Sequence, residues 1–116
     1  MTNFTFRVMT NLQSRTEILR NLTAILGMTR VQPGCSSCRL YSDIEEPKAI
    51  LLSVEWLSKG DLERYIRTDD FRLVLATVEL SDALPEVHFD QVSMRQGLEI
   101  VDSVRLKNKS MPEPQP

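Results

Sequence analysis

The segment AILLSVEW at residues 49–56 is the most apolar stretch of the 116-residue chain, and it decides the predicted fold. Its even-numbered positions all carry apolar side chains: Ile50, Leu52, Val54 and Trp56. An alternation with a period of two is typical of a strand with one buried face. Leu51 places an apolar side chain on the opposite face, so the strand predicts a sheet that needs cover on both sides.

Strand and helix patterns alternate outward from this segment. The predicted elements are a strand over about 3–10, a helix over about 15–31, a strand from Cys38, the strand at 49–56, a helix from about 59 that breaks near 68–70 and ends near 80, and a strand over 87–94. Ser14 and Glu17 fit a capping box at the start of the first helix. In the last strand, the apolar residues change from odd-numbered to even-numbered positions near Asp90, and this change predicts a bulge there.

The order βαββαβ predicts an α+β, ferredoxin-like fold with an antiparallel sheet and two helices on one face. The uncovered face of the sheet favours a homodimer that forms through it. Residues 1–96 would form this domain, and 97–107 a C-terminal extension that is either a short helix or a strand. The proline-rich end, 108–116, is predicted to be a disordered tail.

Composition excludes several classes of partner. The net charge of −2, without a basic run, argues against binding to nucleic acid. No apolar stretch approaches the roughly 18 residues of a membrane-spanning helix. The first residues lack the pattern of a signal peptide, and we therefore expect a cytosolic protein.

Several short motifs then occur in a familiar order, and together they resemble the antibiotic biosynthesis monooxygenase superfamily over about residues 4–95. The similar motifs are VQPGC at 31–35, CRLYSD at 38–43, VEWLS at 54–58, Leu62 and TDDFR at 68–72. The resemblance implies a dimeric α+β barrel in which each subunit holds a pocket between its sheet and its helices. Several members oxidise aromatic polyketides or quinols with molecular oxygen, and they use neither metal nor flavin.

The resemblance thus implies a monooxygenase that acts on a phenolic, quinol or polyketide-like aromatic substrate without any cofactor or bound metal. The haem-degrading members carry a tryptophan and a histidine ten residues apart on the second helix. These positions fall on Tyr65 and Leu75 here, and leucine cannot ligate iron. The usual histidine of the second helix is absent, so a non-catalytic, dimeric ligand-binding or accessory protein is the alternative.

Such an oxygenase needs a base that removes a phenolic proton, hydrogen-bond donors that stabilise the resulting anion, and a pocket that excludes water. His88 is the only histidine, and histidine is the residue type best suited to proton transfer near neutral pH, which makes it the candidate base if its face of the strand meets the pocket. The indole ring of Trp56 could form a wall beside an aromatic ligand or donate a hydrogen bond, and the Tyr65 hydroxyl could line the pocket. The alternative for His88 is a surface or dimer-interface position, and for Trp56 it is a core or interface position. Tyr65 is equally compatible with a core position that leaves its hydroxyl at the surface.

Three further residues are candidates for contact with the substrate. Arg39 and Tyr41 project from the second strand and could steady an anion, although a solvated or dimer-facing pair is the simpler alternative. Phe71, at the resumed helix, completes the candidate set. Cys35 and Cys38 are three apart in a predicted strand and would point to opposite faces. We therefore expect neither a disulfide nor a metal site there, but one turn cysteine and one core cysteine.

Overall fold

The computed structural model of the protein describes residues 1–110, with side chains up to residue 106. In chain order, the elements are β1 (Thr2–Met9), α1 (Arg15–Arg30), β2 (Cys35–Ser42), β3 (Ala49–Trp56), α2 (Lys59–Ile66), α3 (Phe71–Glu79), β4 (Glu86–Gln91) and α4 (Glu99–Ser110). The strands lie in the order β2-β3-β1-β4, and each neighbouring pair is antiparallel. This confirms the predicted ferredoxin-like fold. No helix within residues 1–110 is long and apolar enough to cross a lipid bilayer.

The core lies between the sheet and helices α1, α2 and α3. Even-numbered side chains of β1 and β3 point into it, because successive residues of a strand face opposite sides. The buried apolar side chains of these two strands are Phe4, Phe6, Val8, Ile50, Leu52, Val54 and Trp56. The helices meet them with Ile18, Leu22, Ile25, Leu62, Tyr65, Phe71 and Val74. Each such side chain contributes roughly 1.5–3 kcal/mol through removal of apolar surface from water.

We call the other side of the sheet the open face, because the core helices lie on the opposite side. Its β3 residues are Leu51, Ser53 and Glu55, so it is more polar than the adjacent leucines of the sequence suggest. Ion pairs cross it: the Arg95 guanidinium lies 2.7 Å from a Glu55 carboxylate oxygen. Such partly exposed pairs contribute little stability. The open face is therefore a mixed surface rather than an apolar one.

The second helix breaks as predicted, into α2 and α3. Ser58 begins α2, and its hydroxyl accepts a hydrogen bond from the Asp61 amide at 3.1 Å. The predicted capping box of α1 is wrong, because the Ser14 hydroxyl accepts from the Asn11 amide instead of capping the helix.

The last strand is shorter than predicted. β4 ends at Gln91, and its register with β1 is continuous, so the predicted bulge near Asp90 and the extension to Met94 are both wrong. The chain leaves the sheet here, and the Arg95 guanidinium then contacts Glu55 on the open face. Residues 99–110 then form α4, a helix rather than a strand, and it continues past the predicted boundary at 107. The rest of the predicted tail, 111–116, lies outside the described residues.

Candidate functional site

An apolar cleft of about 420 Å³ lies between β4 and α2. Thr2 and Leu62, both buried, form the floor of this β4–α2 cleft, while the partly exposed Ile66 and Phe89 form its walls. Four charged or polar residues complete the lining and stand at the rim: Lys59, Glu63, Asp90 and Gln91. Its volume falls within the range of roughly 300–1,000 Å³ that is typical of small-molecule sites.

The cleft exists because β4 is an edge strand that the core helices do not fully cover. The apolar helix-side residues of β4 are Val87 and Phe89, which remain 41% and 53% exposed. Their counterparts on β1, Phe4 and Phe6, are buried. Exposed aromatic surface beside a buried core is typical of a binding site.

An aromatic cluster connects the wall of the cleft to the centre of the core. The Phe89 ring stacks on Phe4 with centroids 4.9 Å apart and an interplanar angle of 16°. Phe4 in turn contacts Phe71, which meets the edge of Tyr65 at 5.4 Å, and Tyr65 lies 4.9 Å from Trp56. Because each ring is held by the next, Phe89 presents a supported aromatic face to the cleft.

Three buried polar atoms at this end of the sheet lack partners. The Thr2 hydroxyl, the Asn3 amide oxygen and the Trp56 indole N–H form no hydrogen bond with any described residue. Thr2 and Trp56 are opposite one another in the β1–β3 register, so both side chains lie on the helix side. A buried polar group without a partner costs about 1–3 kcal/mol, so such groups in a cleft lining are candidates for ligand contact.

The structure brings together two of the three predicted catalytic residues. Trp56 and Tyr65 are in contact, but both are buried in the core and neither lines the β4–α2 cleft. The Tyr65 hydroxyl lies 2.7 Å from the Thr29 hydroxyl, and burial raises the pKa of Tyr65 to about 12. His88 is exposed on the open face, opposite Thr5 of β1. It is therefore separated from the other two by the sheet.

The predicted substrate-binding residues are also divided between the two sides. Arg39 and Tyr41 lie on the open face, where they line a polar cleft of about 270 Å³ together with Glu55 and Arg95. Phe71 is buried on the helix side, between Phe4 and Tyr65. It supports the aromatic cluster and does not line the β4–α2 cleft.

The two cysteines are free thiols that share a face, contrary to the sequence-based expectation. A register irregularity at Ser36 pairs Cys35 with Trp56 and Cys38 with Val54, so both cysteines fall on the helix side. Burial raises the pKa of Cys35, and it raises that of Cys38 to about 12. Both thiols are therefore protonated and weakly nucleophilic near neutral pH. Within residues 1–110, no three metal-ligating side chains of the His, Cys, Asp and Glu types come together.

The sequence did not single out the residues of the cleft. Leu62 and Ile66 fall within the predicted second helix and Phe89 within the last predicted strand, but a single sequence does not distinguish an edge strand from a central one. One feature of the sequence does point to the cleft. Thr2 lies two positions before Phe4, so both side chains project from the same face of β1. A polar residue on the buried face of a strand is an informative exception to the pattern.

A comparison with protein families finds one match, to the model described as antibiotic biosynthesis monooxygenase, over residues 5–76. No curated protein sequence matches the chain.

Solved structures share the fold at low sequence identity. A proposed antibiotic biosynthesis monooxygenase from Deinococcus radiodurans superposes with a TM-score of 0.76 at 12% identity, covering 84% of this chain and 98% of that one. A Mycobacterium tuberculosis protein gives 0.74 at 18% identity, with coverages of 83% and 98%. A conserved Methanosarcina mazei protein gives 0.71 at 20% identity, with coverages of 78% and 90%.

Proposed function

Because the chain belongs to the antibiotic biosynthesis monooxygenase family, we propose that it oxidises a small phenolic or quinol-like aromatic compound with molecular oxygen in the β4–α2 cleft. The observation that carries the proposal is the exposed Phe89 ring, stacked on Phe4 in the wall of this cleft. An aromatic substrate could pack against the free side of Phe89, since offset stacking of rings is favourable by about 0.5–1.5 kcal/mol.

The proposed reaction needs no external reductant. A phenol becomes a quinone when one oxygen atom of O₂ enters the ring and the other leaves as water with two hydrogens of the substrate. The substrate supplies all the electrons, and loss of its phenolic proton makes it electron-rich enough to reduce oxygen. The protein therefore has to bind the ring, accept the proton and stabilise the anion.

Two rim residues have the chemistry for these steps. Glu63 carries a carboxylate that can accept the phenolic proton, and Lys59 carries an ammonium group that can stabilise the phenolate. Trp56 and Tyr65 act as positioning residues in this proposal, because they support the aromatic cluster behind Phe89. His88 faces the other side of the sheet and takes no part in the proposed step.

Oxygen uptake by metal-stripped protein tests the proposal. A panel of hydroquinones, anthrones and catechols would be offered to the wild type and to the Glu63→Gln and Lys59→Met variants. We expect uptake above the rate of autoxidation, reduced at least tenfold in Glu63→Gln. Equal rates in the presence and absence of protein across the whole panel would contradict the proposal.

A non-catalytic, ligand-binding protein is the second candidate function. The observation that favours it is the Tyr65 hydroxyl, which bonds to Thr29 and has a raised pKa, so it supplies no base to the cleft. This candidate predicts binding of aromatic compounds without oxygen uptake.

The proposal includes a cytosolic homodimer that forms through the open face. Leu51 and the half-exposed Tyr41 give this face apolar surface that a second sheet would cover. Light scattering should then give twice the 13.3 kDa mass of the chain, and Leu51→Glu should lower it towards the monomer. A monomeric wild type at micromolar concentration would contradict this part of the proposal.

A further inference from the structure

A second cleft, of about 430 Å³, lies at the other end of the sheet from the β4–α2 cleft. We call it the α1 cleft, because the loop before α1 and the start of that helix form one side of it. Thr10, directly after β1, contributes to its lining, whereas Thr2 at the beginning of β1 belongs to the β4–α2 cleft. Since a strand rises about 3.3 Å per residue, the two clefts are on the order of 25 Å apart.

The lining of the α1 cleft carries two positive charges and no negative one. The Arg15 guanidinium and the Lys48 ammonium group belong to it, and neither forms an ion pair with any residue that the structure describes. Two carboxylates border these loops and are already engaged. Asp82 accepts a hydrogen bond from the Asn11 side chain at 2.8 Å, and Glu46 accepts one from the Lys48 backbone amide at 3.3 Å. Because like charges in one cleft repel each other, a bound anion would remove an unfavourable interaction.

The end of the sheet holds Arg15 in place. The Arg15 Nη1 donates to the Thr10 hydroxyl at 3.1 Å and to the Pro47 carbonyl oxygen at 3.3 Å. Thr10 is buried, and its hydroxyl donates in turn to the Lys48 carbonyl oxygen at 2.9 Å. Both acceptors of the guanidinium are neutral, so they orient the group without cancelling its charge. Its other N–H groups have no partner within the described residues, and a planar guanidinium presents such donors in the geometry that a carboxylate accepts.

The backbone at the start of α1 does not supply the attraction for an anion. The Asn11 side-chain oxygen accepts hydrogen bonds from the amides of Gln13 and Ser14 at 2.9 and 2.8 Å. Because these donors are already satisfied within the protein, the charge of the α1 cleft comes from the side chains of Arg15 and Lys48.

Apolar surface lies beside the two cations. Leu12 is 98% exposed, Pro47 is exposed as well, and both line the α1 cleft. Covering such surface with an apolar group is favourable by roughly 25 cal/mol per Å². A ligand that matches the whole lining therefore has a negatively charged end and an apolar body.

We propose that the α1 cleft binds a small aliphatic monocarboxylate of the medium-chain fatty acid type. Its carboxylate contacts Arg15 and Lys48, and its chain covers Leu12 and Pro47. Inorganic phosphate satisfies the two charges but leaves the apolar part of the lining uncovered. This site is separate from the β4–α2 cleft, and the inference does not depend on the proposed oxidation.

The test is a nuclear magnetic resonance titration of nitrogen-15-labelled protein with octanoate, acetate, octanol and inorganic phosphate. The Gln13 side-chain amide reports on the α1 cleft, and the indole N–H of Trp56, the only tryptophan, reports on the other end of the sheet. We expect octanoate to shift the Gln13 signal, and to bind at least tenfold more tightly than each of the other three compounds. Equal affinities for octanoate and acetate, or a shift of Trp56 without one of Gln13, would overturn the inference.

Charge and apolar variants make the test specific. Arg15→Gln keeps hydrogen-bond donors but removes the charge, and it should weaken octanoate binding at least fivefold. Leu12→Ser should weaken the binding of octanoate but not that of acetate. Arg20→Gln removes an exposed arginine of the same helix that does not line the cleft, and it should behave as the wild type.

Two results with these variants would contradict the site. Unchanged octanoate affinity in Arg15→Gln would show that the guanidinium does not hold the carboxylate. An equal loss in Arg20→Gln would show a general attraction of the anion to the positive charges of the helix. Lys48→Gln gives a second test if Arg15→Gln does not fold, because Lys48 is exposed and its side chain makes no hydrogen bond or ion pair within the described residues. It should weaken octanoate binding as well, and unchanged affinity would overturn the inference.

Discussion

His88 and Trp56 project from opposite faces of the same sheet. His88 lies opposite Thr5 of β1, whereas Trp56 lies opposite Thr2. Positions 2 and 5 differ by three, an odd number, so their side chains point to opposite sides of the strand. A ligand in the β4–α2 cleft can therefore approach the aromatic cluster that contains Trp56 but is separated from His88 by the sheet.

Substitutions of two neighbouring residues of β4 should show which face of the sheet contributes to activity. Phe89→Ala removes the aromatic wall and its stacking on Phe4, so we expect kcat/KM for oxidation of a quinol to fall roughly tenfold. His88→Ala should leave it unchanged within about twofold, since this side chain lies on the open face. Steady-state oxygen uptake measures both. A large decrease in kcat/KM for His88→Ala, with the dimer mass unchanged, would indicate that the site lies on the open face instead.

The hydrogen bond between Tyr65 and Thr29 should stabilise the fold measurably. Both hydroxyls are buried, so Tyr65→Phe leaves Thr29 with an incompletely satisfied hydroxyl and should lower the free energy of unfolding by about 1–2 kcal/mol. The double variant with Thr29→Val should be less destabilised than the sum of the two single variants. Urea unfolding followed by circular dichroism provides the values. Tyr41→Phe, on the exposed part of β2, is the matched control and should change stability by less than about 0.5 kcal/mol.

Stability should fall at alkaline pH. Burial raises the pKa of Cys38 from 9.0 to about 12 and that of Tyr65 from 10.0 to about 12. Between the unfolded and the folded pKa of each group, the folded chain keeps a proton that the unfolded chain has released. The stabilising contribution of the two groups is therefore fully present below pH 9 and is lost as the pH rises towards 12. Urea midpoints at pH 8 and pH 10.5 should show this decrease, and Cys38→Ala should reduce it. A midpoint independent of pH over this interval would show that the two groups ionise freely in the folded state.

Gly34 should be intolerant of substitution. Its φ of 84° lies in the left-handed region, and a Cβ at this position would overlap the side chain of Asp61 at the start of α2. We expect Gly34→Ala to destabilise the protein by about 1–3 kcal/mol. Gly27→Ala is the matched control: nothing lies within 4 Å of its added Cβ, and it should stabilise α1 by about 0.5–1 kcal/mol. Thermal unfolding of both variants measures the contrast.

The fold was largely predictable because periodicity determines which residues of a strand or helix face the core. The alternation in β3 and the break between α2 and α3 both follow from local patterns. The prediction was wrong where the chain departs from the local pattern. Strand β4 ends at Gln91, although apolar residues continue beyond it, and Arg95 then pairs with Glu55 on the open face.

The candidate site was less predictable, because it depends on which strand lies at the edge of the sheet. Trp56 and Tyr65 were singled out as large aromatic residues, yet such residues are just as suitable for a core, and here they are buried. Phe89 belongs to the same residue class but remains half exposed, since no helix fully covers β4. The irregularity at Ser36, which brings both cysteines to one face, leaves no trace in the sequence either.

The edge position of β4 also governs how wide the proposed site can open. Within residues 1–110, β4 pairs only with β1, so its fraying breaks a single ladder of hydrogen bonds. Edge segments with few buried contacts open at lower free-energy cost than central strands, and their amides exchange hydrogen faster. Since Phe89 belongs to β4, we expect fraying of this strand, and not the volume of the closed cleft alone, to limit the largest ring system that the cleft admits. Residues that pair or pack with β4 would then adjust the range of ligands without touching them.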